Sequence, residues 1–359
     1  MATFSDKRQF LGGQLFGSTY IPKDADLSGK TVIVTGANAG IGFECAKHLF
    51  VTHPFLLPVR RLLTILEPHR ARLNVSTLIL ACRSIQRGNM AKDILTGLGD
   101  CKMAVEVWEL DLTNYKSVLA FAERVRTTLP RLDALIANAG VRLIEFTTAE
   151  GTETTITVNV ISNMLLNIGV LPKLRETSAE YGIPTTITIV GSMMHIFGPP
   201  ESMAPPPEGK GIDTFDVLSN PKTANMGPRY SLSKTLIHAV ASQFAAVAQR
   251  QGQQEQVIVN WVNPGWCASE LDRHKKAPPL IQRIAFAIMG RTAEQGSQTL
   301  VHGIMAGNQT HGCYLSECRA KPESDFLRSK DGVEARARLW KELLARIEKI
   351  SPETASFIE

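Results

Sequence analysis

The chain has 359 residues, 44% of them hydrophobic and 20% charged, with a formal net charge of +5. That composition suits a globular protein with a large core, and its mild, dispersed charge sets nucleic-acid binding aside. Six cysteines form no CxxC pair and none stands at zinc-ligand spacing with histidine, so a reduced, cytoplasmic protein without a metal site is expected.

In chain order, residues 1–29 read as a polar lead-in without the apolar core of a secretory signal. Apolar, β-branched runs follow at 31–36, 76–81, 103–110, 132–140, 185–192 and 257–265, separated by segments with apolar residues three and four apart. This alternation predicts an α/β fold, a doubly wound parallel sheet (Rossmann fold) in a single catalytic domain over 30–320. An amphipathic helix at 333–350 then belongs to a C-terminal helical extension over 321–359. No apolar run approaches the roughly 20 residues of a spanning helix. Weak peripheral membrane contact and a homo-oligomer both stay open.

Directly after the first strand, TGANAGIG supplies Gly36, Asn38, Gly40, Ile41 and Gly42 ahead of a helix. Glycines permit a tight turn and close approach of backbone to a pyrophosphate, and the helix start attracts the anion. An NAD-binding unit would place an acidic residue at the end of the second strand, about 20 residues past the glycines. Here that stretch is ACRS, and Arg83 puts a positive charge where a 2′-phosphate would sit, which favours NADP(H).

Arg83 follows Gly42 by 41 positions, and removing 51–71 would shorten that to 20. The segment holds three prolines, Arg60 and Arg61, and Leu56, Val59, Leu62, Leu63 and Leu66 at helical spacing. Three readings fit: a tolerated surface loop, a short amphipathic helix docking on a membrane or partner, and a retained intron. The intron is preferred, since its length is a whole number of codons and its removal regularises the unit. In every case the connection lies at the amino-terminal edge of the sheet, away from the cofactor edge.

In YSLSK, Tyr230 and Lys234 stand four apart at the start of a helix and project from one face. An ammonium beside a phenol stabilises the phenolate and makes tyrosine a usable general acid or base at neutral pH. Ser192 closes the fifth strand, where its hydroxyl could hold a substrate oxygen or simply cap a turn. Asn159 lies among apolar residues in a helix, where a structural hydrogen bond competes with a place in a proton relay.

Jointly, TGxxxGxG at 35–42, NAG at 138–140, Asn159, Ser192, the Tyr230 and Lys234 pair and PG at 264–265 resemble the classical short-chain dehydrogenase/reductase family. LACRSIQRG and the long loop before Tyr230 look most like its retinol-dehydrogenase-like branch and fungal members. The resemblance implies that Tyr230 exchanges a proton with the substrate oxygen and that Lys234 lowers its pKa and binds the nicotinamide ribose. It also implies that Ser192 orients the carbonyl and that Asn159 anchors a water leading from Lys234 to solvent. Asp111 with Leu112 would meet the adenine, and Asn138, Ala139 and Gly140 the middle of the cofactor. Pro264, Gly265 and Ser269 would then contact the nicotinamide.

Met193, Met194, His195, Ile196 and Phe197 after the serine, and Trp266 after Pro264, suit a pocket for a lipophilic ketone or secondary alcohol, with Met193, Met194, His195 and Trp266 the named substrate-pocket candidates. Terpenoid, polyketide, steroid and retinoid substrates remain open, with secondary metabolism a plausible setting. The reading is an NADP(H)-dependent oxidoreductase, and its alternative is a catalytically idle NADP(H)-binding regulator.

Overall fold

A computed structural model describes residues 2–22, 25–50, 73, 75–98, 103–206, 211–249, 255–268, 271 and 280–358. The insertion at 51–71 and Ser269 lie outside the described residues. Helix α1 (Phe4–Phe16) precedes strand β1 (Thr31–Thr35), α2 (Gly40–Phe50), β2 (Thr77–Cys82), α3 (Ile85–Thr96), β3 (Ala104–Glu109) and α4 (Tyr115–Thr128). Next come β4 (Ala134–Ala137), α5 (Ser162–Tyr181), β5 (Thr185–Val190), α6 (Arg229–Ala248) and β6 (Val257–Asn263). Helices α7 (Leu280–Met289) and α8 (Ala293–Met305), strands β7 (Tyr314–Ser316) and β8 (Arg319–Ala320), and helix α9 (Lys330–Ile350) complete the set used here.

The sheet order is 3-2-1-4-5-6-7-8, parallel throughout except for the terminal β7–β8 pair. This is the doubly wound Rossmann arrangement. Strands β1, β5 and β6 are buried along their whole length, as expected of parallel strands covered on both faces. The pleat sorts their side chains: Ile33, Ile79, Leu135 and Ile187 face α4, α5 and α6. Val32, Val34, Leu78, Leu80 and Ile136 join Cys45, Leu49, Leu95 and Leu300 on the other face. β3 is the edge strand and alternates exposed and buried residues over most of its length. Helix α9 buries Leu339, Trp340, Leu343 and Ile347 on one stripe, with Trp340 against Phe244 of α6.

Three features depart from the sequence reading. The lead-in is not merely polar coil: Thr3 and Asp6 form a capping box that starts α1, a helix that reaches the cavity at the sheet edge. The short strands β7 and β8 extend the sheet, and runs of two or three residues carry too little periodicity to be read. The helical stretch Thr154–Tyr181 is also long and apolar enough to cross a membrane, contrary to the expectation above, yet its most apolar window is completely buried in the core. Its threonines and asparagines break any uninterrupted apolar run, and a helix covered on all sides needs no polar face.

Asp133 ties the sheet's centre together. Buried just before β4, it accepts from the Thr31 N–H of β1 at 2.8 Å and from Arg131 Nε at 2.8 Å. Asp133→Ala would leave a buried donor and a cation without their partner, a loss of about 2–4 kcal/mol. A thermal melt followed by circular dichroism should show a clearly lowered midpoint; an unchanged midpoint would contradict this account of the strand junction.

Candidate active site

Every strand from β1 to β6 points its carboxyl end at one cavity of about 550 Å³. Gly36, Arg83, Asp111, Asn138, Ser192 and Pro264, each just beyond one of those ends, all line it. Crevices of open α/β sheets lie at this edge because every parallel strand delivers its following loop there.

At one end sits the glycine turn. Gly36 and Gly40 have φ of +65° and +54°, the left-handed region that disfavours other residues. A Cβ on Gly42 would lie 2.4 Å from the Gly36 carbonyl oxygen, so only glycine lets α2 start this close to β1. Asn138 clamps the turn from β4: its Nδ2 donates to the Thr35 carbonyl at 2.8 Å, while the Ala139 N–H donates to Thr35 Oγ1 at 2.8 Å. Asn38, Ile41, Leu112, Ala139 and Gly140 also line the cavity. Asp111 is held by its own turn, Oδ1 accepting from the Thr113 N–H and hydroxyl at 2.9 and 2.8 Å.

Arg83 is exposed at the rim and has no ion-pair partner among the described residues. Arg87 lines the same end, placed there because Ser84 caps α3 by accepting from the Arg87 N–H at 3.3 Å. A cradle that a single Cβ would fill, a helix start and two guanidiniums fit the phosphates of a nicotinamide dinucleotide. Gly36, Gly40, Gly42, Asn138, Arg83 and Arg87 are the residues that could hold it.

At the other end, Ser192, Tyr230 and Lys234 line the cavity together. Lys234 Nζ donates to the Val190 carbonyl at 2.8 Å and stands 5.8 Å from the Tyr230 ring centroid. Burial pushes its ammonium down to about 8. Arg142 approaches the same ring, its guanidinium carbon 5.2 Å from the centroid. Two cations therefore lie close to the phenol ring. The Ser192 hydroxyl oxygen accepts from the Met194 N–H at 3.1 Å, so the serine is indeed a cap. That bond uses a lone pair and leaves the hydroxyl proton available to a substrate oxygen.

Asn159 makes the structural hydrogen bonds that one of its two readings expected. It sits in a π-helical turn, Thr157–Ile161, with its amide fully engaged: Nδ2 donates to the Val141 carbonyl and Ser233 Oγ, both at 2.9 Å, and Oδ1 accepts from the Val141 N–H at 2.8 Å. Its side chain is absent from the cavity lining and ties the 141 loop to α6. His195 is a correction. It is fully buried behind the serine, outside the cavity lining, because both ring nitrogens are drawn into backbone bonds. Met193, Met194 and Trp266 do line the cavity, as does Gly265, while the structure leaves Ser269 undescribed.

Sequence reasoning missed Phe10, Arg87 and Arg142, all in the cavity wall, whereas Phe197 was among the apolar residues it placed there. Phe10 of α1 packs edge-on against Phe197 at 6.1 Å, and Gln14 Oε1 accepts from the Trp266 N–H at 3.1 Å. Arg87 was legible as a second basic residue one helical turn past Arg83 and Arg142 as the charge following NAG; nothing in the local sequence announces Phe10.

Comparison with known proteins identifies the family. The family model described as short chain dehydrogenase matches residues 76–199. The chain is 36% identical over 349 residues to the short chain dehydrogenase/reductase dmxR8 of Cryptosporiopsis sp. (strain 8999), covering 97% of this chain and 99% of that protein. It is also 36% identical over 351 residues to the short-chain dehydrogenase anuD of Penicillium roqueforti (strain FM164), covering 96% and 84%. Among solved structures, NADPH-bound carbonyl reductase from chicken fatty liver is similar with a TM-score of 0.55 and 17% identity, over 83% of this chain and all of that one. A 7α-hydroxysteroid dehydrogenase complexed with NADH is similar with a TM-score of 0.56 and 19% identity, over 84% and 98%; likenesses this remote speak for the fold alone. The protein belongs to the short-chain dehydrogenase/reductase family, in its classical form and fungal branch. It is accordingly an oxidoreductase that works with a nicotinamide cofactor.

Proposed function

We propose that the protein is an NADP(H)-dependent carbonyl reductase acting on a lipophilic ketone, or on the matching secondary alcohol in reverse. The observation that carries this reading is the meeting of Ser192, Tyr230 and Lys234 in one cavity with the glycine turn and Arg83. An idle NADP(H)-binding regulator would have no need of that set. The catalytic unit is read as residues 30–320, to which α1 adds Phe10 at the cavity wall and the extension 321–359 adds Glu323 and Ser324 behind the serine.

When bound, the nicotinamide supplies or accepts the hydride. Ser192 donates a hydrogen bond from its hydroxyl to the substrate oxygen, keeping its proton, and so fixes the carbonyl beside Tyr230. The Tyr230 hydroxyl gives its proton to that oxygen as negative charge develops there, and takes it back in the oxidative direction. Lys234 and Arg142 supply the positive field that makes the phenol a competent acid. Asn159, through Val141 and Ser233, keeps the loop carrying Arg142 and the helix carrying Tyr230 in register. Phe10, Met193, Met194, Phe197 and Trp266 form an adaptable apolar wall, which supports a lipophilic substrate. Terpenoid, polyketide, steroid and retinoid carbonyls are the candidate classes, with secondary metabolism as the setting.

Three outcomes are expected. Across a panel of lipophilic ketones, the wild-type protein should oxidise NADPH and Tyr230→Phe should lose about 10²–10⁴-fold in kcat while still binding NADPH; undiminished turnover by the variant would sink the assignment. Arg83→Ala should raise the KM for NADPH about 10–100-fold, the worth of a lost charge-assisted bond, and leave that for NADH nearly unchanged. Equal changes for both cofactors would remove the 2′-phosphate role. Because burial holds Lys234 near 8, its positive charge is present below that pH and lost above it. With NADPH as the varied substrate, kcat/KM should therefore decline above about pH 8, whereas a profile flat to about pH 9.5 would exclude Lys234 as the responsible group.

A further inference from the structure

The serine end of the cavity is held from behind by two stacked histidines. The rings of His195 and His238 lie 4.1 Å apart and 20° from parallel, and both are fully buried. The Ser192 N–H donates to His238 Nε2 at 3.3 Å, and the Ser192 carbonyl accepts from His195 Nδ1 at 2.8 Å. Both peptide groups of the serine thus end on imidazole.

The remaining ring nitrogens leave the nucleotide-binding unit. His238 Nδ1 meets Glu323 Oε1 at 3.1 Å, and the Ser324 N–H donates to His195 Nε2 at 3.0 Å. A backbone N–H can only donate, so each Nε2 is an acceptor and each ring is the neutral Nδ1–H tautomer. Gly191 makes the contact possible, since a Cβ there would lie 2.4 Å from His238 Nε2. Glu323 also accepts from Trp261 Nε1 and pairs with Arg336 of α9. The segment is fastened to α1 as well, Gln9 donating to the Pro322 carbonyl at 3.0 Å and the Asp325 N–H to Asp6 Oδ1 at 3.1 Å.

We propose that His238 and His195 are positioning residues for Ser192, and that through them the segment Glu323–Ser324 sets where the serine hydroxyl points. This role rests on the reductase reading above. Lys234, Glu323, Arg336, Tyr314 and Trp261 surround His238 together with His195, and burial with the two cations keeps its ring neutral. A neutral ring retains the lone pair that receives the Ser192 N–H; a protonated one would push that donor away.

The test is a double-mutant cycle on the full chain. His238→Leu removes the acceptor and should lower kcat about 10–100-fold, the range a displacement near 1 Å can cost, while the Kd for NADPH stays within about 2-fold. His238→Gln, whose amide oxygen can take the place of Nε2, should recover activity to within about 3-fold of wild type. In a Ser192→Ala background, His238→Leu should add no further loss, because the group being positioned is gone. The same fractional loss in both backgrounds, or a His238→Leu protein as fast as wild type, overturns the positioning role alone. A wild-type protein inert on every ketone overturns the reductase reading and this role with it. Should His238→Leu fail to fold, ¹⁵N-histidine NMR of the wild type decides: both rings as Nδ1–H tautomers from about pH 8 to pH 5.5 is the expected result, and an Nε2–H or doubly protonated His238 overturns the arrangement.

Discussion

The parallel pairing of β1 with β2 and β4 is the constraint on which the site depends. Parallel strands must all finish at the same edge, and each must then return through a helix on one face. Six strand ends thereby deliver a glycine turn, two arginines, an aspartate, an asparagine clamp, a serine and a proline–glycine pair to a single cavity. The register of β1 against β4 also brings Asn138 under the Gly36 turn, so the phosphate cradle is braced by a strand neighbour rather than by its own loop.

Around that edge the structure places polar groups in the interior and satisfies them closely. Lys234 is buried against a carbonyl, Asn159 spends its amide on the 141 loop and α6, and the two histidines have all four ring nitrogens in bonds. Unpaired, such groups would each cost on the order of 1–3 kcal/mol; paired, they rigidify the site. Rigidity matters here because general acid–base chemistry and hydride transfer tolerate little misplacement of the reacting oxygen.

Much of this was legible from local patterns. The alternation of β-branched runs with helical periods carried the fold, and the glycine spacing, Ser192 and the Tyr230–Lys234 pair marked the site before any contact was known. Each of those signals is short-range: a period, a turn or a four-residue helical spacing. His195 was misread for the same reason, since a histidine three residues after Ser192 looks like a pocket residue until Ser324 is seen bonded to its far side. Asn159 offered two readings, and the partners of the structural one, Val141 and Ser233, came into view only through bonds that span the chain.

By itself, then, the sequence determined the class of fold, the order of its elements and the chemical types gathered at the carboxyl edge, because backbone periodicity and turn chemistry are local properties. Tertiary structure alone decided which groups face the cavity and which stand behind it. It brought Phe10 and Gln14 of α1 to the substrate wall and Glu323 and Ser324 to the back of the serine. Contacts between residues 85 or more positions apart leave no periodic trace, since they depend on how the termini fold back over a sheet whose edge is already complete.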